Sequence, residues 1–298
     1  MTTLPKLTVL IPVFNDFGRL RKCLSALIAQ PEIAAGLATC IVVDNGSAES
    51  IRPLENEFPQ VEFMVETTKG SYAARNAGAA AAAGEFLAFV DSDCIPNEDY
   101  LRTTIQVTEQ HPDVDIHVGE VALFPEAVDG VPADDRVAAY EIATAFRQKH
   151  YAERVNFGPT ANLIVRAATF TELGGFDQKL LSGGDKEFGQ RAVRLGYKMR
   201  YSPECVVRHP TRSKLSELAH KTRRVVGGDH RLAKGIGKTA SDLARYLVLR
   251  PGNSLRLIWT SDKLALKQRL LASETVIRVV GWQVSEKFKL MRGGEARR

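Results

Sequence analysis

The sequence of 298 residues contains no run long and apolar enough to cross a bilayer. Its uncharged apolar stretches, such as Ala77–Gly84 and Phe86–Val90, fall well short of the roughly 20 residues a spanning helix needs. The start, Met1-Thr2-Thr3-Leu4-Pro5-Lys6, runs straight into a strand-like segment and has no apolar signal core. Cysteine is scarce. The four residues Cys23, Cys40, Cys94 and Cys205 share no C-x-x-C spacing, and each lies in an apolar or mixed segment. That pattern argues against a disulfide scaffold or a zinc site and for buried free thiols in a reducing compartment. The expectation is a cytoplasmic protein. No internal repeat is present, and the one biased segment is the Ala-rich run Ala73–Ala83.

With 44% apolar and 25% charged residues, the chain has an ordinary globular composition and is not wholly disordered. Its net charge of +5 conceals an asymmetry. Residues 210–298 hold 20 Lys and Arg against 7 Asp and Glu, whereas residues 1–209 hold 20 against 28. An acidic body followed by a basic tail suggests two jobs in one chain. The expected organisation is a domain over residues 1–210 and a basic, mainly helical extension over 211–298.

The first 95 residues alternate apolar runs with helix-length segments. Leu7–Val13, Cys40–Val43, Val61–Val65 and Phe86–Val90 read as strands, with helices near Arg19–Ala29 and Ala73–Ala83 between them. Continuous apolar strands separated by helices imply βαβ units and a parallel sheet covered on both faces. Further along, Asp99–Gln110 and Asp134–His150 read as helices and Asp115–Phe124 as a strand. Lys186–Leu195 follows as a helix, then Lys198–Ser202 and Val206–His209 as strands flanking Pro203. Beyond Pro210 the strand signal ends.

Strands one, two and four run into Asn15-Asp16, Asp44-Asn45 and Asp91-Ser92-Asp93. Ligands of open parallel sheets bind at the carboxyl ends of the strands, so these groups mark the expected site. Asn15 and Asn45 taken singly fit helix capping better. On extended backbone, Asp91 and Asp93 would leave the same face and serve one site. Paired carboxylates of this kind suit Mg²⁺ or Mn²⁺ bound with a substrate diphosphate.

The ordered set VLIPVFND (Val9–Asp16), IVVDNGS (Ile41–Ser47), KGSYAARNAG (Lys69–Gly78), GEFLAFVDSDCIPN (Gly84–Asn97), LGGFD (Leu173–Asp177) and GGDKEFGQR (Gly183–Arg191), with His209 downstream, resembles the family 2 glycosyltransferases of the GT-A fold. It covers about two-thirds of the chain. The resemblance implies an α/β GT-A domain that moves a sugar from a nucleotide-sugar donor to an acceptor hydroxyl, with inversion and with Mn²⁺ or Mg²⁺ as cofactor. It places Pro12 and Phe14 beside the nucleotide and Asp44 on the base. Arg75 and Asn76 match the segment that faces base or diphosphate, and Asp91 the residue near the ribose or metal shell. Asp93 matches the metal ligand, and His209 a residue that completes the metal or diphosphate shell; the plainer reading of His209 is a satisfied histidine at a strand end. Asp185 matches the general base. Gly184 departs from the pattern, because the family usually carries Glu there. Glu187 is the fallback base, or else a first-turn acid facing the helix dipole.

In the tail, Lys263–Met291 interleaves Leu264, Leu270, Ile277 and Trp282 with Lys263, Lys267, Arg269, Arg278, Lys287 and Lys289. Basic amphipathic helices with a Trp suit the interface of an anionic membrane; a helical extension packed on the domain is the alternative. Arg223-Arg224 could contact an anionic acceptor such as a lipid phosphate. No nucleic-acid module is visible. The leading expectation is therefore a transferase using a UDP-linked sugar on a lipid-linked or envelope glycan, peripheral on the cytoplasmic membrane face. A nucleotidyltransferase, or a catalytically silent sugar-nucleotide or glycan-binding scaffold, are the alternatives.

Overall fold

The computed structural model describes residues 4–127, 130–180, 182–233 and 245–295; residues 234–244 of the basic extension lie outside them. The chain divides into two compact units: Met1–Ala122 with Arg147–Leu180 and Gly184–His209, and Leu123–Phe146 with Leu181–Gly183 and Pro210–Arg298.

The first unit is built on strands β1 (Leu7–Val13), β2 (Ala38–Asp44), β3 (Glu62–Val65), β4 (Phe86–Val90), β5 (Ile95–Pro96), β6 (Ile116–Phe124), β7 (Asn162–Arg166) and β8 (Met199–Pro210). Among the described residues they form one sheet ordered β3-β2-β1-β4-β7-β6-β8-β5. Strands β1 to β4 are mutually parallel, whereas β7 runs antiparallel to both β4 and β6. The apolar runs are the reason. Every residue of β4 is buried and β1 and β2 nearly so, as a sheet covered on both faces requires. The register sets Val13 beside Asp44 and Leu10 beside Phe89, so the three strands end near one level. Their polar loops consequently share one edge.

Helix α1 (Phe17–Ile28) begins at Asp16, whose side chain accepts the Arg19 amide at 3.4 Å. Helix α4 (Ser71–Ala81) follows the short helices α2 (Pro31–Ala34) and α3 (Arg52–Glu57). After α4 come α5 (Tyr100–Gln110), α6 (Asp135–Thr144), α7 (Gln148–His150), α8 (Ala167–Glu172) and α9 (Gly184–Arg194).

Three local expectations are corrected. The helix expected to continue to His150 stops at Thr144, because Ala145 is extended and Phe146 is left-handed at φ 47°. The two strands expected around Pro203 are one strand, β8; β5 pairs with it only at Val207 and Arg208, so Pro203 interrupts no bond to that neighbour. Asp91–Cys94 is not extended but a tight turn closed by the Cys94 amide on the Asp91 carbonyl at 3.0 Å.

In the second unit, α10 (Leu215–Ala233), α11 (Arg250–Thr260) and α12 (Leu266–Met291) pack with α6. Ala272 and Val276 of α12 bury against Ala139 and Ile258, while Val279 joins Val137 and Leu218. Trp282, expected at a membrane face, packs against that second cluster, and Lys287 is buried. The exposed tryptophan is Trp259. No helix among the described residues is long and apolar enough to cross a membrane.

Candidate active site

The strand-end loops are stitched to one another by side chains. Asp44 is buried and accepts both the Ser47 amide at 3.1 Å and its hydroxyl at 2.6 Å. Asn15, left-handed at φ 53°, accepts the Ala48 amide at 2.8 Å. Asn45 accepts the Gly70 amide at 2.7 Å and donates to Glu66 and Thr68 carbonyls. Neither asparagine caps a helix; each fastens one loop to the next. Pro12 lies within β1, and Phe14 just beyond it leaves 61% of its surface in water. A large ring exposed at this edge is available for stacking.

Arg75 on α4 is buried and forms an ion pair with Asp91. Its Nη1 donates to the Ser71 carbonyl at 3.3 Å, and its buried Nε has no partner among the described residues. A buried N–H without an acceptor carries a desolvation cost that an anionic ligand would remove. Asn76 is used differently. Its amide donates to the Phe176 carbonyl at 2.8 Å and accepts the Phe176 amide at 3.0 Å. It thereby holds the Leu173–Asp177 loop, where Gly174 and Gly175 take left-handed φ of 72° and 71°.

Asp93 Oδ1 lies 3.4 Å from His209 Nε2. Burial pushes the Asp93 carboxyl up; His209 and Arg19 pull it back, and Asp91 and Asp16 push it further. A half-buried carboxylate beside a buried imidazole is a fit donor set for a hard divalent cation. The Cys94 thiol completes a group whose ligand atoms lie within 4.8 Å of one another. Burial holds that thiol well above its usual range, and it donates to the Ala161 carbonyl at 3.6 Å. As a protonated thiol it does not suit such an ion.

Asp185 stands in the first turn of α9, where Oδ1 accepts the Lys186 amide at 2.9 Å and the Tyr72 hydroxyl at 3.3 Å. Burial pushes its carboxyl above the ordinary range despite these donors and the Arg75 charge. Desolvation is thus the larger effect on its ionisation. Tyr72 also explains the glycine at 184. A Cβ there would lie 2.6 Å from Cε2 of the Tyr72 ring, so no side chain fits. Glu187 is tied to Arg191 at 2.8 Å and 3.0 Å, and Arg191 in turn donates to the Leu173 and Gly175 carbonyls. Beneath these groups, Phe89, Phe170, Phe176 and Phe188 pack with centroids 5.0–5.4 Å apart.

The structure therefore brings Arg75, Asp91, Tyr72 and Asp185 together, sets Asp93 against His209, and turns Asn76 and Glu187 toward support of the loop. Tyr72, Arg191 and Arg19 were not legible as site residues. Tyr72 had one available signal, its place directly before the Ala73-Ala74-Arg75-Asn76 segment.

A doubly covered α/β sheet with this acidic edge defines the class, a GT-A glycosyltransferase. The chain belongs to that class through glycosyl transferase family 2, whose sequence profile matches residues 8–168. Glycosyltransferase AglE of Haloferax volcanii is 33% identical over 233 residues, which take in 76% of this chain and 74% of that one. Among solved structures, the mannosyltransferase PcManGT of Pyrobaculum calidifontis, in complex with GDP-Man and Mn²⁺, superposes with a TM-score of 0.63 at 16% identity, over 99% of this chain and 89% of that one. TarS 1–349 of S. aureus in complex with UDP-GlcNAc gives a TM-score of 0.54 at 15% identity, over 98% and 93%.

Proposed function

We propose that this glycosyltransferase inverts the anomeric carbon, moving a sugar from a UDP-linked donor to an acceptor hydroxyl. The observation that carries the reading is the Asp93–His209 pair at 3.4 Å, with Arg75 holding a buried, unpartnered Nε in the same unit. Together these groups suit a diphosphate. A divalent cation, Mn²⁺ or Mg²⁺, held by Asp93 and His209 would supply charge neutralisation for the departing diphosphate. Arg75 adds a second positive charge toward it. Pro12, the exposed Phe14 ring and Asp44 border the nucleoside, and Asp91 approaches the ribose. Asn76 serves donor binding by fixing the loop that carries Phe176. Asp185 takes the acceptor's proton as the acceptor oxygen bonds to the anomeric carbon and the bond to the diphosphate breaks. One displacement leaves the configuration inverted.

For the acceptor we propose a lipid-linked or envelope glycan reached at an anionic membrane surface. The support is that α11 and α12 leave Trp259, Leu266, Leu270 and Ile277 in water along with Arg256, Lys263 and Lys267. Basic helices with exposed apolar groups favour such a surface.

A thermal-shift panel of UDP-, GDP- and dTDP-sugars with and without Mn²⁺ tests the donor. A donor at 100 times its dissociation constant stabilises the fold by about 2.7 kcal/mol. We expect a UDP-sugar to give the largest shift, and only with the cation. Equal shifts in EDTA would remove the metal from the reading, and a larger shift with a GDP-sugar would replace the donor.

A further inference from the structure

Gly184 occupies the position where the resemblance leads one to expect a glutamate beside the base, and the Tyr72 ring fills the space such a side chain would need. The hydroxyl of Tyr72 is oriented by its surroundings. It accepts the Gly184 amide at 2.9 Å and the Asp185 amide at 3.3 Å. With two N–H groups directed at the phenol oxygen, its own proton goes to the one hydrogen-bond acceptor it reaches among the described residues, Asp185 Oδ1 at 3.3 Å. That oxygen also accepts the Lys186 amide at 2.9 Å. No hydrogen bond among the described residues reaches Asp185 Oδ2. The carboxylate is thus held by one oxygen and presents the other.

We infer that Tyr72 is the positioning residue for Asp185, a phenol standing where the resemblance implies a carboxylate, so that Oδ2 is aimed at the reacting hydroxyl. The inference rests on Asp185 as general base. It differs from a glutamate in its consequence. A second carboxylate would repel the ionised base, whereas a phenol donates to it and favours the ionised form. Burial and the Asp185 charge keep that phenol above its usual range, so it remains a donor through neutral pH. The charged and titratable groups facing Asp185 are Tyr72 and Arg75 of α4, Asp91 after β4 and Tyr151. Tyr72 is fixed in turn by Phe176, with ring centroids 5.4 Å apart.

The test uses the full chain with Mn²⁺ and UDP-GlcNAc or GDP-mannose, whichever raises the melting temperature, and measures release of the nucleoside diphosphate. In this reaction water replaces the acceptor: its oxygen bonds to the anomeric carbon, the bond to the diphosphate breaks, and the water proton passes to Asp185. Tyr72→Phe keeps the ring and removes only the hydroxyl. We expect kcat to fall about tenfold with KM for the donor nearly unchanged, and the acid limb of the kcat profile to move to higher pH. Purely structural packing by Tyr72 would leave both kcat and the limb where they are, and that result overturns the inference. A second pair, Tyr72→Ala and Tyr72→Ala/Gly184→Glu, asks whether a carboxylate restores what the phenol supplied; the double variant should be faster than the single one. Asp185→Asn separates the two levels. If it retains most turnover, the base assignment fails and the role of Tyr72 with it. If it is inactive while Tyr72→Phe behaves as wild type, the base stands and only the positioning role fails.

Discussion

Glu187 and Arg191 grip each other at two points, 2.8 Å and 3.0 Å, one helical turn apart on α9. Because Arg191 also donates to the carbonyls of Leu173 and Gly175, the pair serves the loop rather than the acceptor. Glu187→Gln should therefore lower turnover modestly, by less than about tenfold. Asp185→Asn should lower it by about 10²–10⁴-fold, the range of general-base assistance. Donor affinity should survive Asp185→Asn. Steady-state kinetics of the two variants decide between them, and the reverse ranking would move the base to Glu187.

Asp185 also carries a stability prediction. Its folded-state carboxyl is raised above the unfolded value by burial, so the folded chain holds that proton more tightly and is destabilised as the group ionises. Stability from this group is present at low pH and is lost as pH rises through the raised value. Asp185→Asn should melt no lower than wild type at neutral pH, and somewhat higher, while losing activity. A lower melting temperature would show that the carboxylate is structural.

Asp93→Asn should abolish Mn²⁺-dependent tightening of nucleotide binding while leaving the fold intact. Calorimetry with UDP, with and without Mn²⁺, measures it. The amide keeps the size of the side chain but loses the charge that a hard cation requires. His209→Ala should weaken the same dependence less. Unchanged Mn²⁺-dependent affinity in a folded Asp93→Asn variant would place the cation elsewhere.

In the second unit Glu141 is buried between Arg212 Nη1 at 2.6 Å and Lys221 Nζ at 2.8 Å. Burial pulls its carboxyl upward, but Lys221 and Arg212 outweigh this and hold it at about 2. The folded value lies below the unfolded one, so the stabilisation is present above the unfolded value of about 4.5 and is lost as pH falls toward about 2. Burial pushes the Lys221 ammonium below its ordinary range, and this offsets part of the gain. Glu141→Gln should lower stability in denaturant unfolding at neutral pH and flatten the acid dependence.

The full chain should sediment with vesicles containing anionic lipid at low salt and release as salt rises, because surface attraction is screened beyond about 10 Å at 0.1 M. Substituting Lys263 and Lys267 by Gln should weaken it. Equal binding to neutral vesicles, or binding to neither, would count against the electrostatic surface.

The βαβ rhythm, the parallel sheet and the polar strand ends were legible because burial on both faces demands continuous apolar runs, and such runs are visible in one dimension. For the same reason the strand-end residues Asp44, Asp91 and Asp93 stood out. The tail was legible only as helix and charge. Its pattern did not distinguish Trp282, which packs inside the unit, from Trp259, which is exposed. A stripe of apolar residues has the same period whether it meets protein or water.

By itself the sequence determined the order of elements, the sheet edge that holds the polar groups, and the family to which the chain belongs. Tertiary structure alone decided the partners. Asn76 meets Phe176 across 100 positions, and Tyr72 meets Gly184 across 112. The glycine at 184 looked like a missing catalytic group until the ring that fills its space was in view. The physical reason is that hydrogen bonds and excluded volume act over a few ångströms of space. Chain separation carries no such distances once helices and crossovers intervene.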